Sequence, residues 1–278
     1  MNELPFTATA QLIAPRLSLA SCVRAFVTRS TLGRPLLPPA QRLNRFPASP
    51  LCSITWFIDG ATLLPDGEAL PQIAFGGPRS RPFVSVNPGP VRAFMVMLFP
   101  QALHALTGLE LAQHVDRFSA VDTVFDARWV ALSQQVLAAP EDAARVDLIE
   151  HFLQPQWQAA RERGDAPGGL LADWVHALGV RAAAAAGSAR GRERRIKAAA
   201  GQPMRTLRRL MRAEQSFLDA RNRLVDGSLS WADLAAQRGY ADQAHLCREV
   251  RSITGLSPTE LARRARDDES FWVYRLWS

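Results

Sequence analysis

Apolar positions come in short or alternating runs along the first hundred residues and at helical spacing along the last hundred, which predicts a chain that begins as sheet and ends as helix. Runs from Cys22 to Thr28, Ser53 to Ile58, Gln72 to Phe75, Phe83 to Val86 and Val91 to Phe99 are separated by Pro, Gly and Asn. Their number and brevity predict an antiparallel sandwich or barrel. Pro100 opens a helical segment, and two more helices are predicted around Ala127 to Leu137 and Asp142 to Leu153. Residues 161–169, RERGDAPGG, mix charge with Pro and Gly and are expected to be a linker. Beyond it, Leu207, Leu210, Met211, Leu218, Leu224 and Val225 follow the i, i+3, i+4 rhythm of one amphipathic helix ending at Gly227. The fold class expected is therefore α+β, with a β-rich domain over residues 1–160 and an all-α domain over 170–278.

The densest local signals lie between Ser230 and Leu261. Ser230 and Asp233 form a capping box that starts a helix at Trp231, and Gly239 can take the left-handed conformation that ends it. Asp242 can cap a second helix in which Leu246, Val250 and Ile253 make one buried stripe, with Leu234 and Tyr240 beneath it. Ala244, His245, Arg248 and Arg251 then fall on the opposite, exposed arc, and Gln243 sits at the amino-terminal tip. Gly255 stops this helix. Ser257, Pro258 and Glu260 start a third, which carries Arg263, Arg264 and Arg266. A short helix, a turn and a helix with an exposed polar arc suit the DNA major groove. Arg can bond bidentately to guanine, Gln to adenine, and a small Ala leaves room for a thymine methyl.

The order GY-x-DQ-x-H-x-x-R, with GLSP seven residues after the Arg, resembles the second helix-turn-helix of the AraC/XylS family of bacterial transcription regulators. Where that family usually places aromatics, this chain has Leu246 and Val250, which keep the apolar character at smaller size. Shifted by 54 positions, Arg248 to Gly255 reappears as Arg194 to Gly201, with Ile196 in the place of Val250, so a first helix-turn-helix is expected ahead of the second. There Arg190 and Arg194 take the positions of Ala244 and Arg248. Arg192 stands where Leu246 would, within about 40° of Ile196 on a helix, so it must snorkel or pair. The preceding segment, GVRAAAAAGS, offers few large side chains to bury, and this unit is expected to pack less well. The resemblance also implies a connecting helix that sets two recognition helices in successive major grooves, about 34 Å apart.

Charge sharpens the picture. Residues 1–160 hold 12 Arg against 12 acids, whereas 161–278 hold 21 basic groups against 14 acids, so the whole net +7 lies in the C-terminal part. Such an asymmetry points to a polyanionic partner for one domain. From Arg190 to Arg212 there are nine basic residues and one acid, Glu193; Lys197, Arg205 and Arg209 within this stretch are expected to meet phosphates. At 278 residues and 47% hydrophobic, the chain can bury the cores of two domains. It has no apolar run of the roughly 20 residues that a membrane helix needs and no basic-then-apolar start, so a cytoplasmic location is expected, with no membrane partner. Cys22, Cys52 and Cys247 form no CxxC and leave one thiol unpaired, which points to neither a disulfide framework nor zinc.

For the first domain the resemblance implies a cupin-like barrel used for ligand sensing or dimerisation. Trp56, Phe75 and Phe94 could line an effector pocket with Arg92 as polar anchor; the alternative, aromatics in the core and Arg92 on the surface, is the ordinary fate of such residues. A metal-dependent cupin enzyme would need several His with a carboxylate converging from strands, and His104, His114 and His151 all lie outside the runs. No GxSxG, P-loop, HExxH or GxGxxG is present, so no catalytic residue, metal or cofactor is assigned. The tail, DDESFWVYRLWS, is expected to dock Phe271, Trp272, Tyr274 and Trp277 on a domain or dimer surface. Sequence and resemblance together imply a non-enzymatic, sequence-specific regulator with promoter DNA as its partner and with a small-molecule effector, a second copy and RNA polymerase as further partners. A nucleoid-type protein without sequence preference is the alternative, and a cupin enzyme fused to a DNA-binding tail is a third reading.

Overall fold

The computed structural model describes residues 9–164, 174–184, 188–225 and 228–276. The first part is built on eight strands: β1 (Thr9–Ile13), β2 (Val23–Ser30), β3 (Leu43–Phe46), β4 (Cys52–Asp59), β5 (Ile73–Gly76), β6 (Phe83–Val86), β7 (Arg92–Leu98) and β8 (Phe118–Ala120). Six form an antiparallel sheet in the order β1-β2-β7-β4-β5-β8, and β3 pairs with β6 in a second, two-stranded sheet. The five runs anticipated from the sequence are β2, β4, β5, β6 and β7. The three that were not, β1, β3 and β8, are short, partly polar and at sheet edges or in the small sheet.

Alternation along the strands gives the large sheet two different faces. Phe26, Ile54, Trp56, Phe75, Phe94, Val96 and Leu98 share one face and form the main core. Helices α1 (Pro100–Thr107), α3 (Ala127–Ala138) and α4 (Asp142–Glu162) cover that face, with the one-turn α2 (Val121–Val124) leading into α3. Trp56 donates its indole N–H to the Ser133 carbonyl at 2.9 Å, fixing the sheet to α3. Val27, Arg29, Thr55, Phe57, Met95 and Met97 share the opposite face, which looks across at the small sheet over a cavity.

Helix α4 runs past its expected end at Leu153 and through Pro155, because Trp157 and Ala160 continue its buried stripe into the core. Arg161 and Glu162, assigned to the linker from composition, are therefore its last turn; residues 165–169 lie outside the described residues.

The remainder is helical: α5 (Trp174–Ala184), α6 (Ala189–Ala200), α7 (Met204–Val225), α8 (Trp231–Gln237), α9 (Gln243–Thr254), α10 (Pro258–Asp267) and the short α11 (Trp272–Arg275). Among the described residues no helix is long and apolar enough to cross a membrane. The architecture is thus α+β, a β-rich part followed by an all-α part. The two parts share buried surface: Trp174, Val175, Leu178, Ile196, Ala200 and Leu207 belong to the same core cluster as the sheet.

Candidate nucleic-acid interface

The second helix pair forms where its caps place it. Ser230 Oγ accepts from the Asp233 N–H at 3.3 Å, Asp242 Oδ1 from the His245 N–H at 2.6 Å, and Ser257 Oγ from the Glu260 N–H at 3.4 Å. Gly239 (φ 70°) and Gly255 (φ 83°) take the left-handed conformation at the turns. Leu234, Tyr240, Leu246 and Val250 close a core of their own, joined by Ala220 of α7, Leu261 of α10 and Phe271. Glu260 does not complete its capping box among the described hydrogen bonds. Its carboxylate instead takes Arg263 at 2.8 Å and Arg264 at 2.6 Å, and these guanidinium groups pull its pKa down to about 2.

With that stripe buried, α9 presents Gln243, Ala244, Arg248 and Arg251 to solvent. His245 is only half exposed; its ring packs edge-on against Tyr240, and its Nδ1 accepts from the Ala241 N–H at 3.4 Å. Sequence reasoning missed Glu249, which sits on the buried side of α9 and takes a two-pronged ion pair from Arg212 of α7 at 3.1 and 2.7 Å. The Arg212 guanidinium also lies 4.4 Å from the Tyr240 ring centre. Hydrogen bonding to Glu249 raises the Arg212 pKa, and burial pushes the Tyr240 phenol up to about 12. The signal was present: an acid on the helix face of Leu246, Val250 and Ile253 needs a partner. Arg238, just past α8, is tied to Asp219 of α7 at 2.7 Å, so α7 carries both helices of the pair.

The first helix pair, α5 and α6, sits at the other end of α7. Ser188 caps α6 through the Gly191 N–H at 3.2 Å, and Arg190, Arg194 and Lys197 are exposed along it. Arg192, expected to snorkel or pair, has an exposed side chain that is not without a partner, while Ile196 and Ala200 are buried and Ala199 packs with them on the core. One expectation is corrected: the alanine segment does not leave the unit short of anchors, since α5 starts upstream of it and buries Trp174, Val175 and Leu178. Residues 185–187 of that segment lie outside the described residues.

Helix α6 packs on α1 and on the turn Leu111–His114, so this unit is seated on the β-rich part. Gly201 ends α6 at φ 74°, where an added Cβ would stand 2.9 Å from Pro78 and 3.1 Å from the Leu111 carbonyl. Along α7, Leu207, Leu210, Ala213 and Ala220 are buried; Gly227 and the side chains of Leu224 and Val225 lie outside the described residues. Arg205 is exposed. Arg209, however, is half-buried, with Nε enclosed and without a hydrogen-bond partner among the described residues.

Of the two readings of Trp56, Phe75 and Phe94, the core one is found. Trp56, Phe75 and Phe94 are at most 1% exposed and point into the helix-covered core, while Arg92 reaches Asp142 of α4 at 3.4 Å. Their strand neighbours on the other face line a cavity of about 850 Å³ between the two sheets, bounded on its open side by α7, α10 and the C-terminal tail. Arg79 lies in its wall, stacked on Phe118 (3.8 Å) and Phe83 (4.6 Å), and burial lowers its pKa to about 10. No group of three or more His, Cys, Asp or Glu side chains that could hold a metal occurs among the described residues.

Two short helix pairs, one at each end of a long helix and each with an exposed arc bearing cations, define a double helix-turn-helix, a DNA-binding arrangement. Residues 181–264 match a helix-turn-helix domain family, and they are a helix-turn-helix domain of the AraC type, the kind carried by transcription regulators. No curated protein is similar to the chain in sequence. Among solved structures, ToxT from Vibrio cholerae matches at 11% identity over 84% of this chain and 97% of that one, with a TM-score of 0.37. ToxT bound to an unsaturated fatty acid matches at 9% identity over 79% and 92%, with a TM-score of 0.35. ToxT bound to (E)-4-(8-methylnaphthalen-1-yl)but-3-enoic acid matches at 11% over 86% and 96%, with a TM-score of 0.37.

Proposed function

We propose that the chain is a sequence-specific transcription regulator in which residues 170–278 read promoter DNA and residues 1–160 form a sensor or dimerisation domain. The observation that carries this reading is the exposed arc of α9, with Gln243, Ala244, Arg248 and Arg251 free of the core on a helix that is capped, stopped and pinned to α7. Arg190, Arg194 and Lys197 on α6 and Arg205 on α7 supply the matching cations of the first unit. The cavity supports the sensor role. At about 850 Å³ it falls in the range of small-molecule sites, and its walls are mainly apolar, among them Val27, Phe57, Met95 and Met97. A second copy and RNA polymerase are the protein partners this reading expects. No catalytic role is assigned to any residue.

The test compares Arg248→Ala with Arg205→Ala in the full chain, on a duplex selected by the protein from a random library, on its single-base variants and on a random duplex. A bidentate Arg contact is worth about 1–3 kcal/mol of discrimination, so Arg248→Ala should flatten the preference at one base pair. Arg205→Ala should weaken all duplexes alike and reduce the salt slope by about one phosphate. Arg205 is exposed whereas Arg209 is half-buried, which makes Arg205 the better probe of a phosphate contact. Uniform weakening by both variants would make α9 another phosphate-binding surface and favour nucleoid-type binding.

A further inference from the structure

The walls of the cavity between the two sheets differ in chemistry. Val27 of β2, Met95 of β7 and Thr55 of β4 stand side by side in register on the large sheet, with Phe57 and Met97 on either side of that row. Thr55 Oγ1 makes no hydrogen bond among the described residues, although the side chain is in the wall. On the facing small sheet Asn44 of β3 is opposite Ser85 of β6, and Asn87 follows two residues on. A group that can only donate fixes how these amides are turned. Trp272 gives its indole N–H to Asn44 Oδ1 at 2.9 Å, so Asn44 Nδ2 donates to Ser85 Oγ at 3.3 Å and to Asn87 Oδ1 at 3.1 Å. Thr62 Oγ1 donates to the same Asn87 oxygen at 2.8 Å. The Asn87 amide nitrogen is thereby left without an acceptor among the described residues.

Most charged side chains of the wall are already neutralised. Arg29 and Arg275 share Glu269, Arg263 pairs with Glu260, Arg266 with Asp267, and Glu214 with Arg24. Arg79 is held differently: its guanidinium lies over the rings of Phe118 and Phe83 at 3.8 and 4.6 Å and donates to the Arg117 carbonyl at 3.4 Å. An anion entering this space would have to part an existing ion pair or reach a guanidinium whose face is covered, and to give up its own hydration beside Met95 and Phe57. A neutral molecule meets neither cost. Thr55 Oγ1 and Asn87 Nδ2 remain uncommitted, and both can donate to an oxygen.

We propose that the cavity takes a neutral, mainly apolar molecule bearing a carbonyl or hydroxyl oxygen, with its body on Val27, Phe57, Met95 and Met97, its oxygen bonded by the Thr55 hydroxyl, and the Asn87 amide as a second donor. The assignment rests on the sensor reading of the β-rich part and narrows it, because it turns carboxylates and other anions away.

Two pairs of probes matched in shape, decanol with decanoate and acetylnaphthalene with naphthoate, are titrated by calorimetry into the full chain and into its Thr55→Val and Arg79→Met variants, each checked for folding by thermal unfolding. Each neutral probe should bind at least about tenfold more tightly than its anion, which has a charge to desolvate. Thr55→Val keeps the shape of the wall and removes the hydroxyl, so it should weaken the neutral probes by about fivefold. A neutral preference untouched by Thr55→Val overturns the placement of the oxygen. Anions that bind as tightly as their neutral partners overturn the ligand class; loss of that binding in Arg79→Met would then seat the anion on Arg79 and leave the sensor reading standing. If none of the four probes binds up to its solubility limit, the ligand class fails together with the sensor use of this cavity.

Discussion

Replacing Arg212 by Met tests how α9 is held. Glu249 has only 5% of its side chain exposed and spends its carboxylate on the two nitrogens of Arg212, whose own side chain is 33% exposed. Breaking a fully buried pair from one side costs about 3–5 kcal/mol. Solvent at the Arg212 end screens the pair and lets water reach the stranded acid, so about 2–3 kcal/mol is expected for Arg212→Met. Glu249→Leu should cost about 1 kcal/mol, since the long Arg212 side chain can turn its head to water. The double variant replaces an ion pair by an apolar contact beneath Tyr240 and should lie within about 1 kcal/mol of wild type. The coupling energy is then about 2 kcal/mol.

Because a chain with several core clusters need not unfold in one step, the measurement should be local: hydrogen exchange of the α9 amides in the four proteins. A coupling of about 2 kcal/mol is about 30-fold in protection. Duplex affinity should fall in Arg212→Met and return in the double variant, because the exposed arc of α9 is untouched in both. Single effects that add to the double within about 0.5 kcal/mol would refute the reasoning and leave Arg212 as an ordinary surface cation.

Gly201→Ala should destabilise more than Gly255→Ala, measured by thermal unfolding. Both glycines are left-handed, which costs a side chain about 1–2 kcal/mol, but a Cβ at Gly201 also meets Pro78 and the Leu111 carbonyl, whereas nothing lies within 4 Å at Gly255; equal losses would show that the seat of the first unit on the β-rich part is loose. Cys247 should be the one thiol that reacts with a disulfide reagent in the native protein, because it alone of the three is not buried. Burial pushes the Cys22 and Cys52 thiols far up and keeps them protonated, so three fast thiols by absorbance would contradict a core that encloses both.

The second helix-turn-helix was legible because its information is local. Ser230, Asp242, Ser257 and the two glycines each act on the backbone within three residues, and Leu246, Val250 and the exposed arc follow from one helical period. The strands were found for the same reason, but their faces were not. Phe57, Met95 and Met97 are as apolar as Trp56, Phe94 and Val96, because both faces of the sheet are covered, one by helices and the other by the cavity and the small sheet. Alternation separates the two sets without saying which one meets the helices. This is why the sequence left Trp56, Phe75 and Phe94 open between pocket lining and core, and the helices on their face make them core.

The joints between the two parts are carried by partners far apart in sequence. Asn44 and Trp272 are 228 positions apart, and neither is unusual in its own neighbourhood. One trace of the joint was nevertheless visible in α9. The stripe Leu246, Val250, Ile253 is longer than the core of its unit requires: Leu246 and Val250 pack with Leu234 and Tyr240, while Ile253 leaves that cluster for Ala48. The first unit shows the same excess, since Trp174 and Leu178 precede the family's matched segment and reach the core of the β-rich part. Apolar residues that outrun what a small unit can bury must be covered by something else. In this chain that cover is the β-rich part, and it grips both helix pairs at separate points, so that the spacing of α6 and α9 depends on it as well as on the helix that joins them.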